Sequence, residues 1–214
     1  MLSRYFTVRQ EVSEHEIIIQ KSRFIAHIKR AENEGEAQEF IQTLKKKYWD
    51  ANHNCSAYLI GENDQIQKAN DDGEPSGTAG VPILEVLKKK NLKDTVVVIT
   101  RYFGGIKLGA GGLIRAYGKA TSEGLETAGI VERRLVQVIH VKIDYTWLGK
   151  VEKELRLSTF IIKEINYLDH VVIEVYVDTE QGQAFIDWMV DLTNGSCNFT
   201  KGENVYLEEE KSTN

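Results

Sequence analysis

The feature that most constrains the fold is a glycine-rich stretch at residues 101–120, RYFGGIKLGAGGLIRAYGKA. Before it, residues 95–100 form a short, β-branched, almost wholly apolar run, typical of a strand buried on both faces. From Leu113 the apolar residues recur at helical spacing. Glycines let a backbone approach a ligand closely, and the first N–H groups of a helix have no intrahelical partner. A strand, a glycine-rich turn and a helix start therefore form a candidate anion-binding site.

Four cations surround this turn. Arg115 and Lys119 lie four residues apart near the start of the predicted helix, where like charges repel and cations oppose the helix dipole. A nearby anion would relieve both penalties, and Arg101 and Lys107 strengthen this interpretation. The alternative is that the side chains extend into water, because each pair costs only a few tenths of a kcal/mol. The stretch matches neither the Walker A nor the GxGxxG pattern.

Two further segments carry a resemblance to a known family. DDGEPSGTAG at residues 71–80, together with residues 96–120, resembles the signature of the IMPACT family. ANHNCSAY at residues 51–58, with His53 and Cys55, matches the family pattern upstream. The resemblance implies a first domain like the second domain of ribosomal protein S-five. It also implies a ferredoxin-like second domain resembling the last domain of elongation factor G. Eukaryotic members of the family regulate translation through a kinase-activating partner.

The predicted binding surface combines polar and glycine residues of the signature. Its members are Asp72, Glu74, Arg101, Tyr102, Gly104, Gly105, Lys107, Gly109, Gly111, Gly112, Arg115 and Lys119. At least one of the five glycines should have a positive φ, which only glycine adopts without steric penalty.

Catalytic or metal chemistry has weaker support. The carboxylates at residues 71, 72 and 74 could bind a metal ion or act as acid and base. A polar loop that caps the next helix is favoured, because no further ligands are visible. His53 and Cys55 would share one face of a strand, where structural roles are favoured over a metal site or a nucleophile–base pair. We therefore assign no catalytic residue, no metal and no cofactor, and leave enzymatic activity open.

Composition sets broader bounds. The chain has 214 residues and a net charge of -5, which argues against extensive nucleic-acid-binding surface but permits a local basic patch. Its two cysteines are far apart, so no disulfide framework is expected and reduced thiols are the default. The polar N-terminus does not resemble a signal peptide, and no apolar run approaches a membrane span. These features predict a cytoplasmic protein without membrane contact, and they leave its oligomeric state open.

The chain is predicted to be an α+β protein with two domains, residues 1–132 and 133–207, followed by a flexible acidic tail at 208–214. In the first domain, Asn33 and Glu36 predict a capped helix. Residues 13–15 are predicted to form a polar connection between a strand at residues 5–12 and one at residues 16–20. In the second, hydrophobic periodicity predicts the ferredoxin-like order βαββαβ, with Thr146 and Thr179 as helix caps.

Two functions remain open at this point. The first is a binding protein, a translation-associated regulator that contacts RNA, the ribosome or a protein partner through the glycine-rich basic surface. The alternative is an enzyme acting on a phosphorylated small molecule, because a glycine-rich loop before a helix suits phosphate.

Overall fold

The computed structural model describes residues 1–210, which form a mixed α+β structure with five helices and two antiparallel sheets. The chain divides into two compact units. The N-terminal unit comprises Tyr5–Glu132 with residues 209 and 210, and the C-terminal unit comprises Met1–Arg4 with Arg133–Glu208. The predicted α+β class is thus confirmed.

The N-terminal unit contains a five-stranded sheet in the order β2-β3-β6-β4-β5. The helices and strands up to residue 128 are, in chain order, β1 (Arg4–Val8), β2 (Ser13–Ile19), β3 (Ser22–Arg30), α1 (Glu34–Lys47), β4 (His53–Ile60), β5 (Ile66–Asn70), α2 (Gly80–Lys89), β6 (Thr95–Tyr102) and α3 (Gly109–Ala128).

Strand β6 lies at the centre of this sheet, as its sequence predicts. Val97 and Ile99 belong to the hydrophobic cluster formed with α2 and α3. Val96 and Val98 belong to a second cluster, formed with α1 on the opposite face. Because helices cover both faces, the strand is apolar throughout instead of alternating. Successive side chains of a strand point to opposite faces of the sheet, so those of residues 101 and 102 lie on opposite faces.

Helix α1 begins with the predicted pair of capping residues, Asn33 and Glu36. The backbone N–H of Glu36 donates to Oδ1 of Asn33 at 3.0 Å, and Oε2 of Glu36 accepts from the N–H of Glu32 at 2.9 Å. Two N–H groups at the helix start thereby gain partners.

Three boundaries differ from the predictions. Residues 13–15 belong to β2 rather than to a connection, because they pair with β3 through the contact of Ser13 with Ile28. Strand β1 ends at Val8. Helix α3 begins at Gly109 rather than Leu113, so three glycines predicted to form a turn lie in its first turn. The helix ends at Ala128, and Gly129 has a φ of 76° at its end, as predicted.

The C-terminal unit has the predicted order βαββαβ. Its elements are β7 (Ile130–Ile143), α4 (Tyr145–Leu157), β8 (Ile161–Tyr167), β9 (Val171–Asp178), α5 (Gly182–Leu192) and β10 (Cys197–Glu210). Strand β9 pairs with β7 and β8, and β10 pairs with β7. Alternate residues of β9, beginning at Val171, are fully buried and pack with Val151, Leu155, Phe185 and Met189 of the two helices.

Both predicted caps in this unit are wrong. Asp144 caps α4, because its Oδ1 accepts from the N–H of Thr146 at 2.9 Å. The residue before α5 is Gln181, and its side chain makes no capping bond, so Thr179 is not the cap. Strand β10 extends to Glu210, three residues into the segment predicted as a tail. Residues 211–214 lie outside the described residues.

Candidate functional site

A cleft of about 380 Å³ lies in the N-terminal unit, where β6 ends and α3 begins. The lining residues used below are His53, Glu74, Arg101, Phe103, Lys107 and Gly109. They come from β4, from the loop between β5 and α2, and from the segment that joins β6 to α3.

The pairing of three strands builds the floor of the cleft. Arg101 on β6 is the cross-strand partner of Phe24 on β3 and of His53 on β4. Side chains directly opposite one another in a sheet lie on the same face. The three therefore form a row on the face that α2 and α3 cover.

Arg101 forms a buried ion pair with Glu74. The distance from Nη1 to Oε1 is 2.5 Å, and the side chains are 6% and 4% exposed. The hydroxyl of Tyr117 donates to the same carboxylate oxygen at 2.8 Å. The guanidinium also lies 5.3 Å from the ring centroid of Phe24 and 5.7 Å from that of Phe103. The structure thus places Arg101 and Glu74 in the floor, with their charges paired, and not on the open surface around the glycines.

Behind this pair lie two neutral groups. Sγ of Cys55 is 3.3 Å from the hydroxyl oxygen of Tyr117 and 3.0 Å from the carbonyl oxygen of Asp71. Burial raises the pKa of Cys55 to about 12. Burial, followed by the neighbouring Cys55 and Glu74, also raises the pKa of Tyr117 far above its usual range. Cys55 is therefore a protonated thiol at neutral pH, and Tyr117 remains a hydrogen-bond donor.

His53 presents one defined ring nitrogen to the cleft. Its Nδ1 lies 2.8 Å from the carbonyl oxygen of Asp72. A carbonyl only accepts, so this contact assigns a proton to Nδ1. In the neutral ring Nε2 is then a hydrogen-bond acceptor, and it lies 3.9 Å from Oε2 of Glu74. This geometry gives the cleft a hydrogen-bond acceptor nitrogen in a fixed orientation.

Asp71 organises the signature loop. Its carboxylate accepts from the backbone N–H groups of Gly77 at 2.8 Å, Ala79 at 3.0 Å and Gly80 at 2.8 Å. Burial alone would raise the pKa of Asp71, but the three N–H donors outweigh it and lower the pKa. Because Gly80 is the first residue of α2, the favoured interpretation of a capping loop is confirmed for this residue.

The carboxylate of Asp72 is also held by hydrogen bonds within the protein. Its carboxylate accepts from Nζ of Lys45 at 2.5 Å and from the backbone N–H of Asn54 at 2.6 Å. These bonds tie the loop to α1 and to β4, and Asp72 does not line the cleft. Within residues 1–210, no group of three or more His, Cys, Asp or Glu side chains is placed to hold a metal ion.

The glycine-rich stretch has the expected backbone. Gly105 has a φ of 86° and Gly109 a φ of 68°, which confirms the prediction of a positive φ. Gly104 is required for another reason, since a Cβ there would lie 2.0 Å from the carbonyl carbon of Lys21. A Cβ on Gly111 would lie 3.5 Å from Nη1 of Arg115, so this guanidinium lies beside the first turn of α3. A Cβ on Gly112 would lie 3.0 Å from the Cβ of Leu108, so these two residues are in close contact.

The other predicted cations differ in their surroundings. Lys107 is exposed at the edge of the cleft, and Arg115 is exposed on α3. Lys119 forms an ion pair with Glu123 at 3.6 Å, and its side chain is 60% exposed. Tyr102 lies on the opposite face of the sheet, where its hydroxyl donates to Asp50 at 2.9 Å.

The cleft thus brings together four of the predicted residues, namely Glu74, Arg101, Lys107 and Gly109. Sequence reasoning did not assign a role in binding to His53, Phe103 or Tyr117. The alternation along the strands places His53, the first residue of β4, on the face of Cys55, and it places Arg101, near the end of β6, on the face of Ile99. This pattern could have indicated that the two side chains share a face. No local signal marks Phe103.

Taken together, the two units and the cleft define a class of two-unit α+β protein with a buried charged pair beneath a glycine-rich helix start. A family model described as the Impact N-terminal domain matches residues 20–125, and a second, described as a domain of unknown function (DUF1949), matches residues 141–196. No helix within residues 1–210 is long and apolar enough to cross a membrane.

Two relatives align along most of the chain. It is 64% identical over 209 residues to the IMPACT family member YvyE of Bacillus subtilis, covering 98% of this chain and 96% of that protein. It is 31% identical over 180 residues to the IMPACT family member YigZ of Escherichia coli, covering 83% and 88%. The chain therefore belongs to the IMPACT family.

A solved structure is also similar. The crystal structure of a hypothetical protein, 27% identical in sequence, superposes with a TM-score of 0.60 and covers 95% of this chain and 99% of its own. Similarity over this share of both chains extends to both units.

Proposed function

We propose that this IMPACT-family chain is a translation-associated binding protein that contacts RNA or a ribosomal surface through the start of α3. The binding surface, here called the α3 rim, consists of Lys107, Arg115 and the N–H groups of residues 109–112. Translation takes place in the cytoplasm, so the proposal places the chain there. A protein partner of the kind implied for eukaryotic members is a different outcome of the same test.

The single observation that carries the proposal is that, within the described residues 1–210, the residue before α3 makes no side-chain capping bond. Leu108 precedes the helix, and its side chain offers no acceptor, whereas α1 and α4 are capped by Asn33 and Asp144. Uncapped N–H groups and two exposed cations favour an anion such as a phosphate of an RNA backbone. On a chain with a net charge of -5, binding would depend on this local patch.

The architecture adds support by analogy. We infer that the C-terminal unit is ferredoxin-like and resembles the last domain of elongation factor G, because β9 lies between β7 and β8 while β10 pairs with β7. We also infer that the N-terminal unit resembles the second domain of ribosomal protein S-five. Both folds occur in the translation machinery, although a fold alone does not determine function.

The test is filter binding of a labelled single-stranded RNA across a salt series. The double variant Lys107→Ala/Arg115→Ala should bind more weakly and should flatten the slope of log K against log salt by about one unit per lost contact. Lys119→Ala should have a smaller effect, because Glu123 already neutralises that lysine. The matched control is Lys46→Ala/Lys89→Ala, which removes two exposed charges from the last turns of α1 and α2.

Two results would oppose RNA binding here: no RNA binding by the wild type, or equal affinity in the rim and control variants. If the ribosome or a protein binds at the rim while free RNA does not, the partner is a protein surface.

The second candidate is an enzyme that acts on a phosphorylated small molecule. The observation that favours it is that Nε2 of His53 lies 3.9 Å from Oε2 of Glu74 in a cleft of ligand size. Turnover of a phosphorylated compound that His53→Gln abolishes, with folding unchanged, would establish this function in place of RNA binding.

A further inference from the structure

We propose that the cleft binds one nucleoside monophosphate unit, with its phosphate at the first turn of α3 and its base against Phe103. The inference rests on the proposed function, since it names the chemical unit that the same site recognises. The unit comes either from a free nucleotide or from the phosphorylated end of an RNA strand.

The size of the cleft suits a single nucleotide. Its volume of about 380 Å³ falls within the range of small-ligand pockets, roughly 300–1,000 Å³. A double helix presents its bases stacked and paired, so only an unpaired nucleotide can enter a cleft of this kind.

Two independent observations define the phosphate end. The first is the uncapped start of α3, a helix of 20 residues whose Gly109 and Ala110 line the cleft. The second is Arg101 in the floor, a residue only 5% exposed. Its Nη1 and Nη2 bond to Glu74 and Ser22, and its Nε is buried without a hydrogen-bond partner among the described residues. An anion that enters the floor would supply that missing acceptor once the side chains around Nε shift.

The charge balance of the cleft favours an anion. Glu74 is compensated by Arg101, so this pair adds no net charge to the floor. The exposed Lys107 and the positive end of the α3 dipole then leave the cleft positive. His53 offers Nε2 as an acceptor for a ribose hydroxyl between the phosphate and the base.

Phe103 provides the base end. Phe103 is 46% exposed, although phenylalanine residues are usually buried. The Arg101 guanidinium lies 5.7 Å from the ring centroid, which holds the ring in place at the edge of the cleft. Pro75 and Leu108 add apolar surface to the lining. An anchored and exposed ring of this kind is a platform on which a base can stack.

The experiment titrates the full chain with AMP, UMP, adenosine and inorganic phosphate, using calorimetry and amide chemical shifts. Both nucleotides should bind with shifts at residues 103–113, and adenosine and phosphate alone should each bind at least about fivefold more weakly. Phe103→Ala should weaken AMP binding at least about fivefold, while Phe103→Trp should retain it. The matched control is Trp49→Ala, because Trp49 is 81% exposed in the same unit and does not line the cleft.

RNA oligonucleotides with a 5′-phosphate or a 5′-hydroxyl distinguish the two sources of the nucleotide. A preference for the 5′-phosphate that Phe103→Ala removes identifies the RNA end, and equal binding of the two identifies the free nucleotide. Nucleotide shifts outside the cleft, or equal effects of Phe103→Ala and Trp49→Ala, would overturn the inference. If AMP and UMP fail to bind while RNA binding still depends on the α3 rim, the inference fails and the proposed function stands. If nucleotides bind in the cleft and RNA does not, the proposed function fails instead.

Discussion

Nη1 of Arg101 lies 2.5 Å from Oε1 of Glu74, and both side chains are almost completely removed from water. Two buried charges stabilise one another only while both are present, because either charge alone would remain unpaired in a low-dielectric environment. Removing one member of this pair should therefore lower the free energy of unfolding of the protein.

Replacing Glu74 with alanine should lower the free energy of unfolding by about 3–5 kcal/mol, since it leaves the guanidinium of Arg101 buried and unpaired. Urea unfolding followed by circular dichroism measures the change. Glu85→Ala is the matched control, because its ion pair with Lys88 is exposed and should contribute less than about 1 kcal/mol. Equal effects of the two substitutions would contradict a buried pair.

Three glycine-to-alanine variants distinguish two causes of lost stability, namely steric overlap of the new Cβ and a backbone with positive φ. Gly104→Ala should be the most destabilising, at more than about 2 kcal/mol, because its Cβ would overlap the backbone of Lys21. Gly105→Ala should lose about 1 kcal/mol, since its φ is 86° but nothing lies near its Cβ position. Gly149→Ala, in open space on α4, should be neutral or stabilising. Thermal unfolding measures the order, and a neutral Gly104→Ala would refute the close approach.

The native protein should protect Cys55 from alkylation. Burial raises its pKa to about 12 from an ordinary 9.0, so almost no thiolate is present at pH 8. Iodoacetamide labelling followed by mass spectrometry should modify Cys55 only in denaturant. Because the folded state holds this proton more tightly, its contribution to stability is present below pH 9 and is lost as the pH rises towards 12. Rapid labelling of the folded chain at pH 8 would show that Cys55 is accessible.

Stability should also depend on His27 in mildly acidic solution. This side chain is 1% exposed, and burial lowers its pKa to about 4 from 6.5, despite the opposing charge of Glu14. The unfolded chain then binds the proton more readily, so stability is present above pH 6.5 and falls as the pH drops towards 4. Urea unfolding at several pH values should show a shallower fall for His27→Phe. Identical slopes for variant and wild type would refute the assignment.

The two-domain organisation is a proposal that a fragment can test. Residues 5–132 contain their own hydrophobic cores on both faces of a five-stranded sheet. We expect this fragment, expressed alone, to unfold in one cooperative transition. A fragment with secondary structure but no cooperative unfolding would show that residues 133–208 are needed for its stability.

Features encoded by neighbouring residues could be predicted from the sequence. The capping residues Asn33 and Glu36 are three positions apart, and their geometry follows from the residue types. The centre of the sheet was predicted from the apolar run of β6, and the order βαββαβ from periodicity. In each case local propensity and tertiary structure agree.

The buried pair could not be predicted in this way. Glu74 and Arg101 are 27 residues apart, and charged residues usually lie on the surface. The sequence predicts the start of α3 four residues too late, because glycine disfavours helix. The packing of Leu108 and Leu113 against the core overrides that preference. Asp144 was missed as a cap because Thr146 is an equally suitable residue type, and only the extended backbone of Asp144 decides between them.

The position of Arg101 on β6 also affects the fidelity of folding. A strand that is apolar on both faces can slip by one residue against β3 and β4 and bury nearly the same hydrophobic area. Such a slip would turn the guanidinium towards α1, where Glu74 is out of reach, and would turn Tyr102 away from Asp50. Two adjacent polar residues at the end of the strand thus distinguish the correct alignment from its nearest competitor, which the hydrophobic residues alone cannot do.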